Sequence, residues 1–381
     1  MDTRRAEHEV VLTCVRRSIP AAARVPMEGL LEGELDWDYC LGIADRHQIL
    51  PMLQASLMAT AAPAAPSGAL RALGARLLIA RRRSRKLTGE LVRLSHLATA
   101  AGLAMLWFKG PALAAMIYGD LEARQYDDLD VLVDGAAVTT TEAFLVSQGY
   151  RRTTDHGWQA TFLHDTTGVS VDLHRQLTFR DFPVPFAFDR LWARREVVMV
   201  AGQPIDTFNL EDLLIVLCVQ VARDALRGRT KLAKLCDIAQ VIFTSDHIDW
   251  ERVRGEARRL RVERVLQFAL LLTARIFDIA LPEPAHGVAG DRALTRLLRE
   301  EEEALFTDVP DRGPLFHLQI REHWRDRLYP YYRNLSRYLM PNASDRHMIS
   351  LPQSLSVLYY VLRPLRLIRR YGRYFVRNAQ T

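Results

Sequence analysis

Asp128 and Asp130 stand two residues apart at the head of an apolar run, Leu129 to Val133. In a strand, alternate residues share a face, so the two carboxylates point one way while Leu129 and Val131 point into a core. Carboxylates held side by side on a rigid strand repel each other unless a cation lies between them. A hard divalent ion such as Mg²⁺ takes oxygen ligands and is commonly held by one or two carboxylates together with substrate phosphates. A third carboxylate is on hand in Gly168-Val169-Ser170-Val171-Asp172-Leu173-His174. There Val169, Val171 and Leu173 alternate with Ser170, Asp172 and His174, the pattern of a half-buried strand.

The elements that must position these groups read as strand, glycine turn, helix, loop, strand. The apolar run Leu103 to Phe108 ends in Lys109-Gly110-Pro111, an apolar helical segment covers Ala112 to Tyr118, and Gly119-Asp120 breaks it. Gly110 is where backbone can approach a phosphate closely, and the helix that follows offers its N-terminus to an anion. Downstream, Ala136 to Gln148 reads as helix. Trp158 to Leu163 reads as a strand, paired through a His164 to Gly168 turn with Val169 to His174. Phe179 to Pro185 reads as loop and Arg194 to Phe208 as a further short strand pair.

In that order, Phe108-Lys109-Gly110-Pro111-Ala112-Leu113, Arg124, Asp128-Leu129-Asp130-Val131-Leu132-Val133 and Val171-Asp172-Leu173-His174 resemble the DNA-polymerase-β-type nucleotidyltransferase superfamily. They are most similar to its bacterial branch of nucleotidyltransferase family proteins, which carry LKG-x-AL, an Arg before D-[IL]-D-[LV]-LV, and a later VDLH. The resemblance extends upstream to Leu35-Asp36-Trp37 through His47. Downstream it takes in Leu210-Glu211-Asp212-Leu213-Leu214 and Asp249-Trp250. It implies an α+β fold, a small mixed sheet flanked by N-terminal and C-terminal helical regions. It implies an enzyme that moves NMP from an NTP to a hydroxyl acceptor, using two Mg²⁺ ions, with Mn²⁺ as the other ion such a site accepts. Asp128 and Asp130 would hold both ions, and Asp172 would hold the second or act as general base on the acceptor. Lys109 and Arg124 would neutralise the triphosphate, and Gly110 would let it approach. His174 would orient Asp172 or touch substrate. For Arg124 the plainer alternative is pairing with Asp127 or Asp128, and for His47 a satisfied core histidine. One departure stands out: the wider superfamily has Gly-Gly or Gly-Ser in the turn where this chain has Pro111. Proline suits a first helical position but removes an N–H.

At 381 residues, with 49% hydrophobic and 25% charged residues, the chain has the composition of a globular protein of two or three domains. The expected divisions are residues 1–100, an N-terminal helical region; 101–208, the nucleotidyltransferase core; and 209–381, a C-terminal helical region. Asn209 is a good N-cap for the first helix of the last region. The net charge of +6 is a mild basic excess. Cys14, Cys40, Cys218 and Cys236 are too scattered for a zinc motif. The charged start, MDTRRAEHEVVLT, is not the pattern of a secretory signal. No apolar run approaches the length of a membrane span, so the expected compartment is the cytoplasm.

Two basic tracts leave the partner open. Arg81 to Lys86 falls on a helix, where a solvated face is the plain reading and nucleic acid the sharper one. A final helix carries Arg363, Arg366, Arg369, Arg370, Arg373 and Arg377 among Leu, Ile, Tyr and Phe, the pattern of a basic amphipathic helix facing RNA or an anionic membrane surface. A small molecule, a peptide or protein, or RNA are all open as acceptor. Two other readings compete: a non-catalytic nucleotide- or partner-binding protein on the same fold, since fold does not fix function, and a toxin-like tRNA nucleotidyltransferase.

Overall fold

Leu87, Leu91, Leu94 and Ala98 recur at helical spacing on one long helix and are all buried against the sheet that carries the carboxylates. In a computed structural model of the chain, residues 5–18, 28–31, 33–59, 65–244, 248–282, 291–307 and 310–339 are described. The N-terminal helices are α1 (Ala6–Arg17), α2 (Glu28–Leu31), α3 (Trp37–Arg46), α4 (Leu50–Met58) and α5 (Ser67–Ala100). The core follows as β1 (Leu106–Trp107), α6 (Gly110–Leu113) running into a π-helical turn (Ala114–Tyr118), β2 (Leu129–Leu132), α7 (Val138–Ser147), β3 (Tyr150–Asp155), β4 (Gln159–His164) and β5 (Ser170–His174). Then come α8 (Phe188–Ala193), the hairpin β6 (Glu196–Val200) and β7 (Gln203–Thr207), and the helices α9 (Leu210–Leu226), α10 (Leu232–Thr244), α11 (Trp250–Leu260), α12 (Glu263–Phe277) and α13 (Arg292–Ala304).

The five-stranded sheet has the order β1-β2-β5-β4-β3. Only β2 and β5 run parallel; the other neighbours are antiparallel. This is a small mixed sheet in an α+β fold. Leu129, Val131, Val171, Leu173, Ala160 and Phe162 form its buried apolar face, closed by α5 and by Leu145 of α7. The opposite face carries the polar alternates.

β3 is a strand that the apolar pattern does not announce. Its sequence, YRRTTD, buries Tyr150 and exposes the other five residues. As an edge strand it is held by backbone pairing to β4 rather than by side-chain burial. The β6–β7 pair forms its own two-stranded sheet.

Residues through Gly313 make up one compact unit and a second begins at Pro314. The second contains α14 (Pro314–Ile320) and α15 (Trp324–Leu339). The arginine-rich helix expected over 363–377 lies outside the described residues. No helix among the described residues is long and apolar enough to cross a membrane.

Candidate active site

Register places the carboxylates. On the parallel pair β2–β5, Asp130 lies opposite Asp172, and Leu132 opposite His174. Across the antiparallel pair β5–β4, Asp172 lies opposite Thr161, and His174 opposite Gln159. One polar row therefore crosses three strands, as Asp130, Asp172 and Thr161. Thr161 Oγ1 donates to Asp172 Oδ1 at 2.8 Å, and Gln159 Nε2 donates to Asp172 Oδ2. Those two donors fix the Asp172 carboxylate and leave it further acceptor capacity.

Asp130 is buried and takes two partners on one oxygen. Lys109 Nζ donates to its Oδ1 at 2.7 Å, and His174 Nε2 lies 2.8 Å from the same atom. The expected neighbour of His174 was Asp172; the imidazole reaches across to Asp130 instead. With Nε2–H donating to the carboxylate, Nδ1 is left buried without a hydrogen-bond partner among the described residues. The ring is boxed in by Phe108, edge-on at 5.1 Å, and Trp158 at 5.5 Å.

The three carboxylates respond differently to this setting. Burial would raise the pKa of Asp130, but Lys109 and His174 outweigh it and hold the group well below the ordinary carboxylate range. Asp172 is raised by burial and by the charge of Asp130, against the Thr161 hydrogen bond. Asp128, half-buried one residue before β2, is pushed up to about 7 by burial and by the charge of Asp130, with Lys109 opposing and Asp172 and Asp127 adding to it. Stacked negative charge with too little cation to balance it is compatible with a bound metal ion.

One oxygen or nitrogen each of Asp130, Asp172 and His174 lie within 4.8 Å of one another, a spacing that suits a shared ion. Asp128 is not in that trio, although the charges of both Asp130 and Asp172 reach it. The donors fit a hard divalent cation: two carboxylates on a rigid frame and a third beside them, whose raised pKa a bound cation would lower.

Gly110 has φ +56°, and a Cβ there would meet the Asp128 carbonyl oxygen at 3.3 Å. A side chain would be strained by the left-handed conformation and pressed against backbone. The glycine thus lets the turn after β1 lie directly against the residue that opens the DxD pair. Pro111 occupies the first turn of α6, where its missing N–H costs the helix nothing.

The loop from Gly119 to Asp128 leads into β2 and is pinned from three sides. Arg81 and Arg85 of α5 pair with Glu122 at 3.0 Å, and Arg83 pairs with Asp127. The basic run of α5 thus meets acids of its own fold. Gln48 Nε2 donates to Asp127 at 2.9 Å, and Leu50 N–H donates to Gln125 Oε1 at 2.9 Å. The third tie is Arg124. It reaches neither Asp127 nor Asp128; its Nε and Nη2 donate to Asp237 of α10 at 2.9 Å, with both partners buried. Tyr118 OH donates to the same Asp237 at 2.9 Å. Sequence reasoning missed Asp237, Thr161, Gln159 and Trp158. The cross-strand register of β4 on β5 could have pointed to Thr161; nothing local marks Asp237.

His47 is a core residue: its Nδ1 accepts from Leu232 N–H at 3.2 Å and its carbonyl from Ala233 N–H at 3.2 Å, capping the start of α10. Burial, with Arg46 nearby, pushes its pKa down to about 4.

A family model described as uncharacterised nucleotidyltransferase matches residues 33–278. The chain belongs to this nucleotidyltransferase family. The matched stretch spans α3 through α12 and so includes every residue of the site just described. No curated protein matches. Among solved structures, the chain is similar to the antibiotic-resistance factor ANT(2'')-Ia, at 16% identity over 45% of this chain and 90% of that one, TM-score 0.33. It is also similar to an antigenic nucleotidyltransferase-like protein from Paracoccidioides brasiliensis, at 15% identity over 52% and 95%, TM-score 0.36. At this level of overlap neither bears on the chemistry of this chain.

Proposed function

We propose that this nucleotidyltransferase-family protein is an active Mg²⁺-dependent enzyme that moves NMP from an NTP to a hydroxyl acceptor. The observation that carries the reading is the register of Asp130 against Asp172 on adjacent parallel strands, with Lys109 bonded to the first carboxylate and Thr161 to the second. Asp128, Asp130 and Asp172 would hold the metal, which when bound supplies charge neutralisation at the phosphates. Lys109 lies on the border between the carboxylates and the phosphate side. Gly110 keeps the turn low enough for a phosphate to approach, as its contact with the Asp128 carbonyl supports.

In the reaction, the acceptor oxygen forms a bond to the α-phosphorus as the bond to the bridging oxygen breaks. Pyrophosphate leaves with that electron pair. Asp172, fixed by Thr161 and Gln159 and with its pKa raised, is suited to take the acceptor proton. His174 holds Asp130 rather than touching substrate. Arg124 serves the site through Asp237, by fixing the loop that delivers Asp128. Positioning and charge neutralisation supply most of the rate in phosphoryl transfer, so this set of side chains suffices.

The test is calorimetric titration of each NTP with Mg²⁺, followed by incubation of the NTP that binds, labelled at its α-phosphate, with cell extract. The expected result is an acceptor that becomes labelled with wild type and stays unlabelled with Asp130→Asn. Tight NTP binding with no labelled product in any extract would favour the non-catalytic reading, for which Pro111 in the phosphate turn is the supporting feature.

A further inference from the structure

The end of α9 and the start of α10 bring together two cations around one acid. Arg223 Nε and Nη2 donate to Asp224 Oδ1 at 3.1 and 3.0 Å. Lys234 Nζ donates to the other oxygen, Oδ2. One carboxylate thus serves two cations, and all three side chains are largely buried. Exposed surface pairs of this kind are common and mean little. A buried cluster with surplus positive charge is costly unless an anion completes it.

Its position relative to the site is fixed by chemistry already described. Lys234 lies one helical turn before Asp237, so the Arg124 and Tyr118 bonds to Asp237 lock this part of α10 against the loop that leads into β2. The Arg223 guanidinium stands 6.0 Å over the ring of Trp158, which also lies 5.5 Å from the His174 ring. Lys109, which holds Asp130, is near enough for its charge to act on Lys234. Burial, Arg223 and Lys109 push the Lys234 pKa down to about 8 against the pull of Asp224.

We propose that Arg223 and Lys234 form the subsite for the β and γ phosphates of the nucleotide, with Asp224 as the counter-ion that orients both. This rests on the nucleotidyl-transfer reading. A triphosphate must lie with its α-phosphorus near the carboxylates, and its remaining charge needs cations beyond them. A guanidinium offers paired donors that match phosphate oxygens, and an ammonium adds a compact point charge. The departing pyrophosphate carries the most charge and would be stabilised at this end.

The probe is inorganic tripolyphosphate with Mg²⁺, which removes any dependence on the base, titrated calorimetrically into the full chain. Mg²⁺ alone is titrated in parallel. Arg223→Gln and Lys234→Gln are each expected to weaken tripolyphosphate about tenfold or more, the usual loss for a charged hydrogen bond, and to leave Mg²⁺ affinity unchanged. Lys234→Arg, which keeps the charge, should retain most of the affinity. Each single substitution leaves Asp224 one cationic partner, and thermal melting checks that the fold persists. If wild type binds tripolyphosphate and NTP while both Gln variants bind them as tightly, the inference is overturned and the nucleotidyl-transfer reading stands. If tripolyphosphate and Mg²⁺ weaken together, the cluster is only structural and the inference is equally overturned. If wild type binds neither NTP nor tripolyphosphate, the reading beneath it falls too.

Discussion

At the scale of single residues, Asp128 is a carboxyl whose surroundings oppose its charge. Its folded pKa is raised to about 7, far above the ordinary range of an aspartate. Between about pH 4 and pH 7, the folded protein binds a proton there that the unfolded chain has released. Stability from this group is therefore fully present at low pH and is lost as pH rises through 7. Asp130 acts in the opposite sense: Lys109 and His174 depress it, so its contribution is present at neutral pH and lost only in acid. We predict that Asp128→Asn, in a chelator, raises the melting temperature more at pH 8 than at pH 5, while abolishing the stabilisation by NTP with Mg²⁺. Scanning calorimetry at the two pH values checks this; an equal effect at both would mean that charge crowding is not the cause.

At the scale of elements, the site depends on helices that contribute no metal ligand. Arg124 and Asp237 are both buried, and removing one leaves the other as an uncompensated charge. Arg124→Ala or Asp237→Ala should cost about 3–5 kcal/mol, read from urea unfolding midpoints. The double substitution should cost clearly less than the sum. These elements also show what the sequence discloses. Asp130, Asp172 and His174 were legible because apolar alternation sets their face, and the register of β2 on β5 then brings them together, with Asp128 outside that trio. Asp36 and Asp249 were legible as parts of Asp-Trp pairs, and each accepts from the backbone N–H three residues on, capping α3 and α11. The Arg124–Asp237 pair was not legible. A polar contact between distant segments has no local pattern, and a basic run such as Arg81 to Lys86 looks the same whether it faces solvent, nucleic acid or the acids of its own loop. β3 escaped for a related reason, since its exposed edge has no apolar period to read.

At the scale of the whole molecule, every residue assigned to the site falls within the unit that ends at Gly313. A chain ending there is expected to bind Mg²⁺ with tripolyphosphate as tightly as the full chain, measured by the same titration. A loss of affinity would show that the first unit does not hold the site by itself. Within the first unit, α10 is claimed by two distant parts of the chain. Its first turn is capped by His47, 185 residues earlier, and its middle is tied to Arg124, 113 residues earlier. Contacts of such separation close large loops, and their entropy must be met before any of the bonds is gained. The hairpins of the sheet close from local pairings, and α10, with Lys234 and Asp237, is expected to dock after them. On the ribosome, the Arg124 guanidinium is therefore expected to lack its Asp237 partner until α10 emerges and docks. The same separation means that binding competence and completion of folding should appear together, as a single slow phase in refolding.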